Sequence, residues 1–286
     1  MDAVNRRISG DPNKDWVTYV IGKYLSKGKG SYIGLSLGCG VGILERQLQK
    51  YKIFKRLEAF DFADEAIRQA RKSAKSENLR IHYQVADLNK LKLKQNAYNF
   101  IFANSVLHHL ENLEFVIEQI DRALIDKGIL FISEYVGPSQ FQYTNEQVKI
   151  INEILNILPY EYRKRVTDSQ ALKPPFSAPT KEFMDTFDPS EAIRSAEIVR
   201  LIKKKFEVVE HTDFGGTLLH MLLQDIAGNF DPKDPKDVTV VNLLVYFENY
   251  LIQSKILSSD FTFMVVKKKE HKKFKLIDKF FFNFKK

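Results

Sequence analysis

Leu35-Ser36-Leu37-Gly38-Cys39-Gly40-Val41-Gly42 is the stretch of sequence that decides the fold. A short apolar run from Tyr32 leads into its glycines, and helical spacing of apolar residues returns from Val41 to Tyr51. The stretch therefore predicts a strand, a glycine-rich turn and a helix. Small residues in such a turn let the backbone approach a ligand closely, and the free N–H groups of the helix start point toward it. The same pattern would also fit a turn that has only a structural role. The pattern is G-x-G-x-G, whereas the dinucleotide-binding pattern G-x-G-x-x-G needs a glycine at position 43, which holds Ile43.

The chain beyond the loop alternates between short apolar runs and helical spacing. We predict strands at 32–37, 56–61, 80–85, 98–103, 129–135, 206–211 and 261–266. Helical spacing marks 15–26, 41–51, 64–76, 113–125, 144–158, 190–204 with Ser190 as N-cap, 217–229 and 238–256, while the proline-rich stretch 168–190 is expected to be irregular. This alternation predicts an α/β fold: a seven-stranded, mostly parallel sheet with right-handed crossovers, helices on both faces and a helical substrate cap.

The order of the predicted strands and helices also indicates how the chain is divided. We predict an N-terminal helical cap, a ligand-binding core, a cap insertion, the C-terminal part of the core with a helical insertion, and a basic aromatic tail. These parts span 1–30, 31–137, 138–190, 191–266 with the insertion at 215–258, and 267–286. The sequence shows no linker that would separate two independent domains.

Two acidic residues follow the second and third predicted strands. Asp61 lies 19 residues after Gly42, where a carboxylate can accept both hydroxyls of a ribose. Asp87, in Val85-Ala86-Asp87-Leu88, is placed to hydrogen-bond an exocyclic amine, although it could equally be an Asx-turn residue. Because the carboxyl ends of parallel strands share one edge of the sheet, we expect both carboxylates and the glycine loop at one crevice.

Residues 32–135 resemble the core of the class I S-adenosylmethionine-dependent methyltransferases. Leu35 to Gly42 is similar to the family's first motif, Phe60-Asp61-Phe62-Ala63 to its ribose-binding segment, and Ala86-Asp87-Leu88 to its adenine-contacting motif. Tyr98 to Leu110 resembles the fourth-strand motif, and Leu124 to Glu134 the fifth-strand region.

The resemblance implies a Rossmann-like fold with S-adenosyl-L-methionine as cofactor and S-adenosyl-L-homocysteine as product. It assigns cofactor contacts to Gly38, Cys39, Gly40, Gly42, Asp61, Phe62, Asp87, Leu88 and Asn104. Three positions depart from the family's pattern, which has an acid at Ser36, an Asp at Asn99 and a Ser or Thr at Ala63. The first departure puts a polar contact near the methionine amino group in doubt.

Histidines at the ends of the later strands are the candidates for acid–base chemistry. A base that takes the proton of a hydroxyl acceptor raises the rate of the reaction roughly 10²–10⁴-fold. His109 and His220 are the preferred candidates, followed by His108, and each could instead serve as a cap or packing residue. A metal-assisted mechanism would need clustered carboxylates after strands four and five, where only Glu134 stands, so we expect no metal.

Basic residues are concentrated at the C-terminus. The chain has a formal net charge of +8, and residues 267–286 hold nine Lys against Glu270 and Asp278. The other 266 residues are therefore nearly neutral. They give no basic face for nucleic acid. The tail interleaves these lysines with phenylalanines, a pattern typical of binding to anionic lipid surfaces, and equally of docking on the protein itself. No apolar run reaches the roughly 20 residues of a membrane span, no secretory segment is evident, and Cys39 is the single cysteine. We expect a cytoplasmic protein that attaches peripherally to the inner face of the membrane.

The sequence leaves the acceptor and the oligomeric state open. The N-P-P-Y type motif of adenine- and amide-directed enzymes is missing after the fourth strand, which favours O-methylation of a sugar, glycan or small-metabolite hydroxyl. One alternative is a non-catalytic S-adenosylmethionine-binding subunit that uses its tail to bind a partner. A second is a nicotinamide-dependent oxidoreductase, which Ile43 disfavours.

Overall fold

The structure is a computed structural model that describes residues 2–28 and 30–269. Within these residues, seven strands form one sheet in the order β3-β2-β1-β4-β5-β7-β6. They are β1 Tyr32–Leu37, β2 Phe54–Asp61, β3 His82–Val85, β4 Tyr98–Asn104, β5 Leu124–Tyr135, β6 Phe206–Gly215 and β7 Phe261–Lys268. Strands β1 to β5 pair in parallel, and β7 runs antiparallel to both β5 and β6. The predicted α/β fold with a seven-stranded, mostly parallel sheet is confirmed.

Helices cover both faces of this sheet. They are α1 Asp2–Ser9, α2 Trp16–Val20, α3 Ile43–Lys50, α4 Asp64–Ser76, α5 Leu113–Ala123, α6 Asn145–Ile157, α7 Lys181–Phe187, α8 Ile198–Lys205, α9 Leu219–Leu223 and α10 Pro235–Gln253. A π-helical turn, Ile21–Leu25, continues α2. Over the described ranges, none of the helices combines the length and the apolar character of a membrane-spanning segment.

Alternating residues of the central strands pack against different helices. Ile101 and Leu130 belong to a core with α5 and α8, whereas Phe102 and Phe131 belong to a second core with α1, α2 and α3. Successive side chains of a strand point to opposite faces, so a sheet covered on both faces needs apolar residues at nearly every position. This explains the continuous apolar runs that predicted the strands.

Three helices form a core of their own. Helices α6, α9 and α10 pack around Ile151, Leu218 and Leu222, which are fully buried, in a cluster separate from both faces of the sheet. The helical segments predicted at 144–158, 217–229 and 238–256 therefore meet in one apolar cluster, which we call the cap, whereas α8 packs on the sheet.

Three local predictions were wrong. The predicted helix 190–204 begins at Ile198, because Ser190 is not an N-cap: its hydroxyl donates to Asp188 at 2.8 Å. The stretch 168–190 is not wholly irregular, since it contains α7, capped by Thr180. The predicted helix 217–229 is a short α9 followed by a 3-10 turn at Ala227–Asn229.

Candidate functional site

The glycine loop joins β1 to α3 in a left-handed backbone. Gly38, Gly40 and Gly42 have φ of +63°, +50° and +76°. A Cβ on Gly38 would lie 2.2 Å from Val106, and one on Gly42 would lie 2.3 Å from the Tyr83 hydroxyl. A Cβ on Gly40 would meet no atom within 4 Å. Neighbouring side chains therefore leave no room for a Cβ at Gly38 or Gly42. Gly40 borders open space in which a ligand can approach the backbone.

Asp61, the last residue of β2, lies against this loop. Its Oδ2 accepts the Gly40 N–H at 2.7 Å, and its Oδ1 accepts the Ala63 N–H at 2.9 Å. The neighbouring Phe62 side chain is 76% exposed. The structure thus brings the predicted ribose carboxylate and the loop into direct contact, and leaves an aromatic ring at the rim of the crevice.

Asp87 lies next along the same edge of the sheet. Its Oδ1 accepts the Asn89 N–H at 2.9 Å, which is the Asx turn that the sequence left open, and its Oδ2 lies 3.0 Å from the Lys90 ammonium. The hydrogen bond from Lys90 holds the pKa of Asp87 below its usual value. Leu88 is buried in the sheet core, so Asp87 is the residue of this pair that faces the rim.

A buried carboxylate that the sequence did not reveal stands behind the loop. Glu45, on α3, accepts the Ser36 hydroxyl at 2.5 Å, and its other oxygen has no hydrogen-bond partner among the described residues. Burial raises its pKa to about 7, and burial also raises the pKa of the nearby Cys39 thiol. The family's usual acid is missing at Ser36, and the helix supplies a carboxyl group at that place instead.

Glu134, near the end of β5, organises the turn after β4. Its Oε1 accepts the N–H groups of Val106 and Leu107 at 2.5 and 2.6 Å, and its Oε2 accepts the Tyr135 N–H at 3.2 Å. Asn104, the last residue of β4, pairs with Ser133 of β5. The carboxylate is 1% exposed, so these donors take the place of water.

The same carboxylate fixes the orientation of His108. Its Oε2 lies 2.6 Å from His108 Nδ1, and His108 Nε2 lies 3.6 Å from Glu191 Oε1. Burial lowers the pKa of His108, but the hydrogen bond that its ring donates to Glu134 and the charge of that carboxylate raise it, so that the pKa lies above its usual value. His109 Nε2 lies 3.7 Å from Glu191 Oε2, and its Nδ1 lies 3.4 Å from the Ser190 hydroxyl. We call His108, His109 and Glu191 the histidine cluster.

His220 lies apart from this cluster. Edge-to-face aromatic contacts lead from His108 to Tyr135 at 6.2 Å, from Tyr135 to Phe261 at 5.4 Å, and from Phe261 to His220 at 5.3 Å. His220 instead faces a cavity of about 730 Å³ lined by α1, α9 and α10. Burial and the charge of Lys173 lower its pKa. The predicted bases are therefore divided between two places.

Two residues of the site could not be found from local patterns. Glu191 comes from the segment between α7 and α8, more than 80 residues after the histidines, and only the fold brings it to them. Glu45 looks like any polar residue of an amphipathic helix, and only its burial singles it out. The expectation that Glu134 stands alone among carboxylates at this edge did not anticipate Glu191.

Comparison with known proteins agrees with the position of the site. Residues 35–132, from β1 into β5, match a family model described as a methyltransferase domain. A malonyl-[acyl-carrier protein] O-methyltransferase of Bacillus cereus is 31% identical over 123 residues, which are 43% of this chain and 44% of that protein. A ubiquinone biosynthesis O-methyltransferase of Pelagibacter ubique is 28% identical over 99 residues, 35% of this chain and 40% of that protein. The chain thus spans less than half the length of these curated relatives.

A solved structure resembles the larger part of the chain. The match with the crystal structure of the [4+2]-cyclase SpnF covers 88% of this chain and 80% of the SpnF chain, with a TM-score of 0.51 and 13% sequence identity. At this identity the likeness shows the fold alone, and because that protein is a cyclase, the fold does not decide the reaction. Residues 35–132, which carry the glycine loop and Asp61, thus match a methyltransferase domain of the S-adenosylmethionine-dependent kind.

Proposed function

We propose that the chain transfers the methyl group of S-adenosylmethionine to an oxygen atom of a small acceptor. One observation carries this proposal: the buried Glu134 holds His108 at 2.6 Å at the carboxyl ends of β4 and β5, beside the glycine loop. Val106 joins the two places, because it packs on Gly38 and its N–H donates to Glu134. The cofactor end and the histidine cluster are therefore parts of one crevice.

The residues at the cofactor end bind and orient. S-adenosylmethionine supplies an electrophilic methyl group on a sulfonium, so the protein contributes mainly by aligning the acceptor with that group. The open face of Gly40 admits the ligand, Asp61 offers its carboxylate to the ribose hydroxyls, and Glu45 offers a carboxyl oxygen without a partner among the described residues. These features fit an adenosine ligand that carries a cationic amino acid.

The histidine cluster serves the acceptor end. A neutral His108 that donates its Nδ1–H to Glu134 presents the lone pair of Nε2 toward Glu191 and His109. The acceptor oxygen is placed against these atoms, which favour the loss of its proton. A positioned proton acceptor is worth about 10²–10⁴-fold in rate.

The class of acceptor follows from the cap and from the relatives. Both curated relatives are named as O-methyltransferases, one acting on a malonyl group linked to acyl-carrier protein and one in ubiquinone biosynthesis. The cavity beside the cap is lined largely by apolar residues, among them Leu219, Leu223, Val241 and Phe230. We therefore propose a small metabolite with a hydroxyl or carboxyl oxygen and an apolar part, and retain sugars and glycans as candidates to be tested.

Deuterated S-adenosylmethionine and a panel of acceptors test this function. Phenols, sugars, a malonyl thioester and free carboxylic acids are incubated with the chain, and products are analysed by mass spectrometry. We expect a labelled methyl group on an oxygen of at least one member, together with release of S-adenosylhomocysteine. Tight binding of S-adenosylmethionine with no turnover across the panel would favour a non-catalytic cofactor-binding subunit.

Peripheral membrane attachment is a separate proposal about the tail 267–286. Its residues 270–286 lie outside the described residues, and the proposal rests on the interleaved lysines and phenylalanines of the sequence. Vesicles of anionic lipid are sedimented with the full chain and with a 1–269 truncation. Sedimentation of the full chain alone supports attachment, and the same distribution for both proteins contradicts it.

A further inference from the structure

We propose that the histidine cluster is a binding site for a divalent transition-metal ion of the zinc type. One nitrogen of His108, one of His109 and a carboxylate oxygen of Glu191 all lie within 4.8 Å of one another. The role of this ion at the acceptor rests on the proposed function, whereas the binding site itself does not.

The distances inside the cluster suit two ligands of one ion better than a hydrogen bond. His108 Nε2 is 3.6 Å from Glu191 Oε1, and His109 Nε2 is 3.7 Å from Glu191 Oε2. Both exceed the usual N–H···O range of about 2.7–3.2 Å. Tetrahedral bonds of about 2.0–2.2 Å place neighbouring ligand atoms roughly 3.3–3.5 Å apart, so a small contraction would enclose an ion.

The outer contacts of the two imidazoles match those of metal ligands. Metal-bound histidines almost always direct their other ring nitrogen to a carboxylate, a carbonyl or water. His108 Nδ1 contacts the buried carboxylate of Glu134 at 2.6 Å, which leaves Nε2 as the free lone pair. His109 Nδ1 lies 3.4 Å from the Ser190 hydroxyl, and Ser190 in turn donates to Asp188. Both rings are thus held so that their Nε2 atoms face Glu191.

The donor set selects the kind of ion. Two imidazole nitrogens and one carboxylate are the protein ligands of open zinc sites, which keep a further position for water or substrate. Mg²⁺ and Ca²⁺ prefer oxygen ligands throughout. An ion at this place would occupy the lone pair of His108 Nε2. It would therefore replace direct proton transfer to that nitrogen by acting as a Lewis acid that lowers the pKa of a bound acceptor hydroxyl.

The burial of the three side chains allows ions to enter. His108 is 8% exposed, whereas His109 and Glu191 are 36% and 26% exposed. The inner ligand is therefore anchored in the sheet edge, and the outer two lie at the surface of the crevice. Substitution of the outer two removes little buried contact, which makes them suitable for a binding test.

Zinc binding to the untagged full chain tests the site. Zn²⁺ is titrated in competition with a chromophoric chelator, in the wild type and in the variants His109→Ala, Glu191→Ala and Glu134→Gln. We expect one ion per chain, at least 100-fold weaker binding for the two ligand variants, and roughly 10–100-fold weaker binding for Glu134→Gln, which weakens the contact that orients His108. The exposed His82, on β3, provides the matched control His82→Ala, which should bind as the wild type does. Calorimetry with S-adenosylmethionine verifies that each variant is folded.

The outcomes separate this inference from the proposed function. Absence of Zn²⁺ binding, or equal binding by wild type and ligand variants, overturns the metal site. Methyl transfer that persists in a strong chelator, with no zinc bound, overturns the role of the ion at the acceptor and leaves the methyltransferase function in place. Zinc binding that depends on His109 and Glu191, without methyl transfer to any acceptor, supports the site and contradicts the proposed function.

Discussion

The two ends of the crevice are built in different ways. At the cofactor end, Gly38, Gly40 and Gly42 follow one strand directly and Asp61 ends the adjacent strand. At the proposed acceptor end, His108 contacts Glu134 of β5, and both histidines lie near Glu191 from the segment between α7 and α8. The first end is determined by short stretches of sequence, whereas the second needs segments that are far apart in the chain. A common scaffold can therefore hold a constant cofactor site while the acceptor site varies with the insertions.

The largest expected effect concerns catalysis at the acceptor end. His108→Ala should lower the rate of methyl transfer by about 10²–10⁴-fold, because it removes the imidazole that faces the acceptor oxygen. Its affinity for S-adenosylmethionine should change little. Steady-state kinetics and calorimetry measure the two quantities.

His220→Ala sharpens the same comparison, since His220 faces the separate cavity. We expect it to raise KM more than it lowers kcat. An equal loss of kcat in the two histidine variants would contradict the division of the site into a reacting cluster and an apolar cavity.

The next effect concerns the stability of the cofactor end. Gly38→Ala adds a Cβ 2.2 Å from Val106 in a backbone with φ of +63°, so strain and overpacking should together cost about 3–5 kcal/mol in the free energy of unfolding. Gly10→Ala is the control, because Gly10 has φ of +80° but no atom within 4 Å of an added Cβ. It should cost about 1–2 kcal/mol. Equal losses in chemical denaturation would show that packing against Val106 does not matter.

A smaller effect concerns cofactor affinity. Asp61→Ala should weaken S-adenosylmethionine binding by about 1–3 kcal/mol, roughly 10–100-fold, because ribose hydroxyls and the Gly40 N–H lose their acceptor. Asp64→Ala, three residues on at the exposed start of α4, is the matched control and should bind normally. Calorimetric titration measures the affinity of both variants for S-adenosylmethionine. An unchanged affinity for Asp61→Ala would show that Asp61 does not contribute to binding.

The last expected effect is a pH dependence of stability that originates at Glu45. Its pKa is about 7 in the folded protein against 4.5 in its unperturbed state, so the folded form prefers the protonated carboxyl. The stability that this preference contributes is fully present below pH 4.5 and is lost as the pH rises to about 7. The variant Glu45→Gln keeps the neutral form at every pH.

We therefore expect the stability of Glu45→Gln relative to the wild type to rise by up to about 3 kcal/mol between acidic and mildly alkaline pH. Urea denaturation of both proteins across this range measures the difference. A difference that stays constant with pH would mean that the carboxyl group titrates normally.

Sequence alone predicted the sheet and the glycine loop because both depend on local patterns. The strand at 32–37 was predicted to the residue, because its mainly apolar run ends directly at the glycine loop. The helix predicted at 190–204 was wrong at its start, because Ser190 pairs with Asp188 rather than capping a helix. Local propensity does not report such competing contacts.

The acceptor side was less predictable for a related reason. The histidines were identified as candidates, but which of them meet was decided by Glu134 and Glu191, which lie 26 and more than 80 residues away along the chain. The separation of His220 likewise follows from the Tyr135 and Phe261 rings that lie between it and His108. Such pairings depend on tertiary packing, which a single sequence does not display.

The central claim, that the glycine loop binds S-adenosylmethionine, is tested most directly by calorimetric titration of the full chain with three ligands. The account predicts that S-adenosylmethionine and S-adenosylhomocysteine each bind once per chain, and that NAD⁺ gives no heat of binding because Ile43 replaces the third dinucleotide glycine. Binding of NAD⁺ without binding of S-adenosylmethionine would contradict it.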